Sequence, residues 1–259
     1  MGTTTTGSKG LIKPDGNEPA SNWPTQWGSG ADILDLTINK IQVDIFNVDG
    51  TWNKPAGTKF AKAQVQGGGG AGGGVGATGA SDVAAGGGGG AGGYCEKLFA
   101  TAVLGSTEAV VVGAGGTGVS AATGNNGATS SFDVLSATGG TGGTITNVQA
   151  SSVNTVSATP GSSGGVGTGG DVNAEGGPGS PGFTLSSGVV GGNGGDSFLG
   201  GGARGPVGQA AAVSTVGTTT VTKGGGGGGA INRGAQTAKA GGAGTIGVVI
   251  VTSYISSAS

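Results

Sequence analysis

Large apolar residues are sparse along this chain, and their spacing within each cluster predicts a conformation. In "ADILDLTINKIQVDIFNV", residues 31–48, Leu34, Ile38, Ile41, Ile45 and Val48 fall four, three, four and three residues apart, the seam of a short coiled-coil helix. Asp32 and Asp35 sit near its start, where the helix dipole favours negative charge. Isoleucine at both seam positions favours trimers or tetramers over dimers, so an oligomerising helix is the expectation. Two other readings stay open. The segment could be an amphipathic helix packed on its own domain, and Val43, Ile45 and Phe46 would also suit a strand.

Beyond Asp49 the period shortens to two. "KFAKAQVQ" (59–66) places Phe60, Lys62 and Gln64 on one side and Ala61, Ala63 and Val65 on the other. "CEKLFATAVL" (95–104), "STEAVVVG" (106–113), "SSFDVLSA" (130–137) and "TIGVVIVTSYI" (245–255) read as further strands. Short strands separated by glycine-rich connections argue for a sandwich or barrel.

The glycine tracts have a period of their own. In "QGGGGAGGGVGATGA" glycine recurs at Gly67, Gly70, Gly73, Gly76 and Gly79, and again at Gly161, Gly164, Gly167 and Gly170, resuming in phase at Gly176, Gly179 and Gly182. Three residues per turn is the polyproline II period, and glycine belongs in such a helix wherever neighbouring chains crowd together. Collagen is excluded, because the phase breaks every few turns and only 8 prolines are present. A single chain folding its tracts back and forth would have to bond them to one another, since a polyproline II helix has no internal hydrogen bonds. The alternative is a set of flexible loops. The expected fold is therefore mostly β. It has a short N-terminal helix or coiled-coil segment (31–48) after a loop-rich attachment segment (1–30), then a β-sandwich-like domain (49–259) with stacked polyglycine, polyproline-II-like helices.

Composition narrows the function. Glycine is 67 of 259 residues, far above the usual ~7%, yet hydrophobic residues are still 34% and charged residues only 9%, unlike a disordered solvating chain. Net charge is −2 with no basic stripe, so nucleic-acid binding has little electrostatic basis. Histidine is absent, which removes the commonest general base and metal ligand. Cys95 is the single cysteine, so no intrachain disulfide or thiolate cluster can form, and a buried inert thiol is expected. "MGTTTTGSKG" lacks the basic-then-apolar pattern of a secretory signal, and the longest apolar run is far short of a membrane helix. A soluble protein is expected.

Candidate chemistry is thin. G-x-G-x-x-G recurs but means little in this composition, and Lys223 precedes its glycine run where a phosphate-binding loop would have it follow. "GGNGGDSFL" (191–199) fits a calcium-binding nonapeptide with Asp196 as the acidic position, but such sites need tandem copies and no second copy is in register; a turn leading into a strand is the plainer reading. Glu96, Glu108, Asp133, Asp171 and Glu175 are scattered without a convergent pattern. No catalytic, metal or cofactor-binding residue is expected, and no enzyme.

At "DGTWNKPAGTKFAKAQVQGGGGAGGG" the chain resembles the glycine-rich domain of bacteriophage tail-fibre and minor tail proteins, in which a Trp-x-Lys-Pro-x-Gly opening precedes a strand that runs into a glycine tract. "GGGGGAGGYCEKLF", "STEAVVVGAGGTG", "GATSSFDVLSATGGTGG" and "GGAGTIGVVIVTSY" continue the pattern, and "GLIKPDGNEPASNWPTQW…ADILDLTINKI" is similar to the head of many such proteins from phages of actinobacteria. The resemblance implies a virion protein at the tail tip or on a fibre, trimeric, joined to other tail proteins through its N-terminal segment and touching a host cell-surface glycan or protein. It also implies that recognition falls to variable loops, here "QASSVNTVSATP", "TLSSGVV" and "RGPVGQAAAVSTVG". A secreted glycine-rich structural or cell-wall protein is the alternative. An ice-binding protein is a third reading, disfavoured because Thr218, Thr219 and Thr220 cluster in one segment instead of repeating along a flat face.

Overall fold

A computed structural model of the protein describes residues 4–6, 11–13, 40–145, 148–151 and 157–256. Thr4–Thr6 and Leu11–Lys13 pair as short antiparallel strands. The described residues contain strands, turns and extended runs and no helix.

Lys40–Phe46 is a strand, which corrects the helical reading over that part of 31–48. Leu34 and Ile38 lie outside the described residues. Ile41, Val43 and Ile45 alternate along the strand and point outward, while Phe46 turns in against the core. Val48 follows in a bend and is exposed. The physical reason is a long-range partner: Val248–Ile255 offers a β-branched strand whose register runs from Val249 opposite Phe46 to Ile255 opposite Lys40. Seven residues of ladder outweigh the weak helical preference of a β-branched segment.

The two faces of a sandwich then follow from period two. One five-stranded sheet has the order Val172–Ala174, Tyr94–Ala100, Thr58–Gln66, Val248–Ile255, Lys40–Phe46. Its inward residues, Ala61, Ala63, Val65, Cys95, Phe99, Val249 and Val251, are buried. They meet Trp52, Val110, Phe132, Leu135 and Ala137 from a second five-stranded sheet of order Gly167–Thr168, Leu135–Ala137, Ser130–Phe132, Thr107–Val111, Gly50–Asn53. Both sheets are open. Phe132 packs edge-on to Trp52 at 5.8 Å and to Phe99 at 6.0 Å between ring centroids. Cys95 is fully buried, and that burial pushes its thiol pKa up, as an inert core thiol requires.

The Trp-Lys-Pro corner links the two sheets. Trp52 fills the core and donates its indole N–H to Asp44 at 3.2 Å. The Lys54 ammonium donates to the carbonyls of Leu104 (2.8 Å) and Thr101 (3.2 Å). Gly57 has φ +76°, and a Cβ there would lie 2.4 Å from the Ser256 carbonyl oxygen, so the corner needs glycine twice over.

From the sandwich, glycine-rich runs carry the chain away and back. The run after Gln66 leads to Asp82–Ala85, and 86–93 returns to Tyr94. Run 67–75 donates along three directions in rotation. Gly67, Gly70 and Gly73 bond the carbonyls of Gly93, Gly90 and Gly87; Gly68, Ala71 and Gly74 bond Ala128, Asn125 and Ala122; Gly69, Gly72 and Val75 bond Thr245, Gly242 and Lys239. In each series the partner number falls by three as the donor number rises by three, so those neighbours are antiparallel. Its carbonyls accept from Gly140 and Gly143, from Gly116, and from Gly227 and Ala230. Run 86–93 repeats the scheme: Gly86, Gly89 and Gly92 donate to Ala230, Gly227 and Gly224, and Gly87, Gly90 and Gly93 donate to Thr144, Thr141 and Thr138.

Packing at this distance excludes side chains. A Cβ on Gly67, Gly70 or Gly73 would lie 2.3, 2.1 or 2.0 Å from the carbonyl oxygens of Thr138, Thr141 and Thr144. In that series the crowding ends at Gly73, although the hydrogen bonds to the third neighbour continue from Thr78 to Gln236. A Cβ on Gly76 would meet only a Val148 methyl at 3.6 Å, so the later members of the opening series are outside the packed bundle.

Candidate functional site

The far end of the runs is closed by two four-stranded sheets. One has the order Gln149–Ala150, Asp82–Ala85, Ile231–Arg233, Val213–Thr215; the other is Ser157–Thr159, Gly182–Leu185, Gly188–Val190, Val207–Gly208. They share a small core of Val83, Ala85, Val189 and Ile231, with Val213 packed against it. These strands are too short to be stable alone. Polar side chains close their ends. Asn232, fully buried, donates to the carbonyls of Gly76 (2.9 Å) and Thr237 (2.8 Å) and accepts from the Ser214 hydroxyl at 2.8 Å. The Arg233 guanidinium donates to the carbonyls of Ser186 (3.1 Å) and Gln209 (3.2 Å), tying together the turn 186–187 and the loop after Val207–Gly208.

The loop candidates of the sequence converge here, where residues 149–151, 157–160, 184–190 and 207–215 lie together in these sheets and their turns; residues 152–156 are outside the described set. A cleft of about 380 Å³ opens between them, lined by Leu185, Ser187, Val190, Val207 and Gln209. Val207 is 56% exposed and Phe183 37%. Among the described residues Asp82, Arg233 and Lys239 are the charged ones of this end, so its chemistry is mostly neutral: hydroxyls, amides and branched aliphatics. Arg204 sits on a run leading to it, its carbonyl accepting from the Thr218 hydroxyl.

Of the oligomerisation candidates, those among the described residues are at the other end. Ile41 and Ile45 stand with Val43 on the outward face of the first five-stranded sheet, in rows with Tyr254, Thr252 and Ile250, and then with Phe60, Lys62 and Gln64. A polar cluster occupies the rim nearest the glycine runs. Gln64 donates to the Tyr94 hydroxyl at 2.7 Å, Tyr94 donates to Glu96 at 2.7 Å, and Lys62 pairs with Glu96 at 2.9 Å. Burial raises the Tyr94 pKa well above the usual phenol value, with the Glu96 hydrogen bond adding to it, and the Tyr94 hydrogen bond in turn lowers that of Glu96.

Phe198, the large apolar residue of "GGNGGDSFL", stacks on Tyr94 at 4.0 Å. The motif is a tight turn: Ser197 and Gly200 bond one another through the backbone, and the Asp196 carboxylate accepts from the Gly202 N–H at 2.7 Å. Asp196 therefore holds its own loop, and no acidic cluster capable of gripping a metal ion surrounds it among the described residues.

Sequence reasoning missed Asn232 and Arg233. Their only signal is a polar pair following a buried Ile231 where a glycine run stops. Comparison with curated proteins returns no match. The glycine-rich domain matches residues 46–254, spanning the second five-stranded sheet, the first apart from its edge strand Lys40–Phe46, the glycine runs and the far-end sheets. The chain belongs to the glycine-rich domain family.

Proposed function

We propose that the protein is a bacteriophage tail-tip or tail-fibre component that contacts the host cell surface, and that its glycine runs form a polyproline II bundle serving as a rigid stalk. The observation that carries this reading is polarity. Lys40, where the preceding segment joins, pairs with Ile255, at the end of the sandwich farthest from Gly247 and the runs. The far-end turns and the 380 Å³ cleft are at the opposite pole. In this reading attachment through residues 1–39 and recognition through the far-end loops are separated by a bundle whose crowded positions, such as Gly67, Gly70 and Gly73, leave no room for a side chain, while its surface turns are free to vary. The loops meet a glycan or protein of the envelope, and the chain assembles as a homotrimer.

Adsorption competition tests this. Purified protein at saturating concentration should block phage attachment to host cells, and Val207→Asp should abolish the block while leaving the melting temperature within a degree or so, because the residue is exposed. Undiminished attachment in the presence of excess wild-type protein would leave the chain a structural part of the tail with no receptor role.

A further inference from the structure

The outward face of the first five-stranded sheet holds more apolar surface than a solvated face keeps. Ile41, Val43 and Ile45 on its edge strand are 59, 52 and 60% exposed, and Phe60 and Leu98 are 44 and 54% exposed. The register makes them contiguous: Ile41 lies beside Tyr254 and then Phe60, and Val43 lies beside Thr252, Lys62 and Leu98. A groove of about 430 Å³ runs between Phe60, Leu98 and Tyr254.

We propose that this face is the contact between copies of this chain; the inference rests on the oligomeric reading above and names the surface that makes it. Charge favours a like partner. Lys62 and Glu96 neutralise one another at 2.9 Å within the face, so two copies meet without repulsion, while a polyanion finds no excess of cations. Among the described residues the edge strand Lys40–Phe46 has a neighbour on one side only, which leaves its other backbone edge available to a second copy. Five strands at ~4.8 Å and seven residues at ~3.3 Å give roughly 450–550 Å² in projection, a large part of the ~800 Å² that each partner contributes to a stable interface. Val48 and Val172, 73 and 45% exposed at its margins, extend it. The 39 residues before Lys40 join the rim of this same face, so any association among those segments concentrates the faces on one another. The branched residues of one edge strand fill the Phe60–Leu98–Tyr254 groove of the next copy.

Sedimentation equilibrium of the full chain at micromolar concentration decides it. The wild type should run at a multiple of 23.7 kDa, and Val43→Asp and Leu98→Asp should each run at 23.7 kDa. Slow hydrogen exchange at Gly70 and Gly73 in both variants shows that the fold survives. Neither residue belongs to the four-three seam of Leu34, Ile38, Ile41, Ile45 and Val48, so a separate Ile38→Asp variant distinguishes the surfaces. Dissociation by Ile38→Asp alone, with the two face variants still assembled, overturns the inference, as does a monomeric wild type. In a Leu98→Cys protein the new thiol should react slowly in the oligomer and quickly once Val43→Asp is added; slow reaction in that monomer means the chain's own N-terminal segment covers the face, and also overturns it. Assembly is read without host cells, so a failed adsorption assay leaves this result untouched.

Discussion

Phe132 and Gly70 are both buried, and they hold the molecule together by opposite means. Phe132 contributes volume: its ring fills the space between Trp52 and Phe99, and neighbouring side chains can shift to accept some change in shape. Gly70 contributes the absence of volume, letting its N–H reach the Gly90 carbonyl at 2.8 Å while the Thr141 carbonyl approaches from another side. A side-chain core yields by repacking. A bundle of backbones has nothing to repack, because the atoms in contact are the same ones that carry the hydrogen bonds.

The largest expected effect breaks the glycine bundle. Gly70→Val or Gly73→Val puts a branched side chain where even a Cβ would lie 2.1 or 2.0 Å from a carbonyl oxygen. The runs must separate, and each buried group left unpaired costs roughly 1–3 kcal/mol. Several together reach the ~5–15 kcal/mol total stability of an ordinary domain, so these chains should fail to fold or melt far below the wild type. Gly76→Ala is the control: with only Val148 near, it should change stability by less than about 1 kcal/mol in either direction. Equal tolerance at Gly70 and Gly76 in thermal melts would end the comparison and make the runs ordinary loops.

Next comes the sandwich. Phe132→Ala should cost about 3–5 kcal/mol, a loss the fold can survive as a cavity. Amides at Gly70 and Gly73 should stay protected from exchange in that variant, because their partners lie in the bundle. At the far end Asn232→Ala removes the donor from the Gly76 and Thr237 carbonyls and the acceptor from Ser214, and should cost roughly 1–3 kcal/mol for each group left unpaired there. Its exchange signature should be confined to residues 231–237, read by deuterium uptake.

The sandwich strands were legible because alternation survives in them: Ala61, Ala63 and Val65 inside, Phe60, Lys62 and Gln64 outside. Residues 40–46 were ambiguous because Ile41 and Ile45 satisfy a four-three seam and an alternating strand equally well. Only the distant Val248–Ile255 decides between them over residues 40–46. "SSFDVLSA" read as one strand but is a hairpin, turned at Asp133 with φ +48°, a backbone state that aspartate tolerates better than most residues. The far-end sheets left almost no trace, since their strands are two to four residues long and some of their partners lie far apart in sequence, as Val83 and Arg233 do. The period-three series was informative where backbone neighbours crowd it, at Gly67, Gly70 and Gly73, and accidental at Gly76, where glycine abundance alone extends it; Gly79 is instead held in a turn by the Asp82 carboxylate.

The smallest effect sharpens the comparison where the two regions meet. Tyr94 closes the outward polar cluster of the sandwich, and the turn at 197–200 lays Phe198 on its ring. Its pKa is raised in the folded state, chiefly by burial and then by Glu96. A raised pKa contributes stability that is fully present below the unfolded phenol value of ~10 and is lost as pH climbs through the folded value. Glu96 has the opposite sign: its lowered pKa contributes stability present above the usual carboxylate range of ~4.3 and lost as pH falls below it. Tyr94→Phe keeps the stacked ring and removes the hydroxyl, so it should cost about 1 kcal/mol near neutrality. That cost should shrink at both extremes, as the wild type loses the same contributions by titration above pH ~10 and below pH ~4. Melting temperatures of the two proteins measured across this range should therefore converge at each end. A gap that stays constant with pH would mean that the Tyr94–Glu96 bond contributes nothing to stability, and that Phe198 stacking alone joins the turn to the sheet.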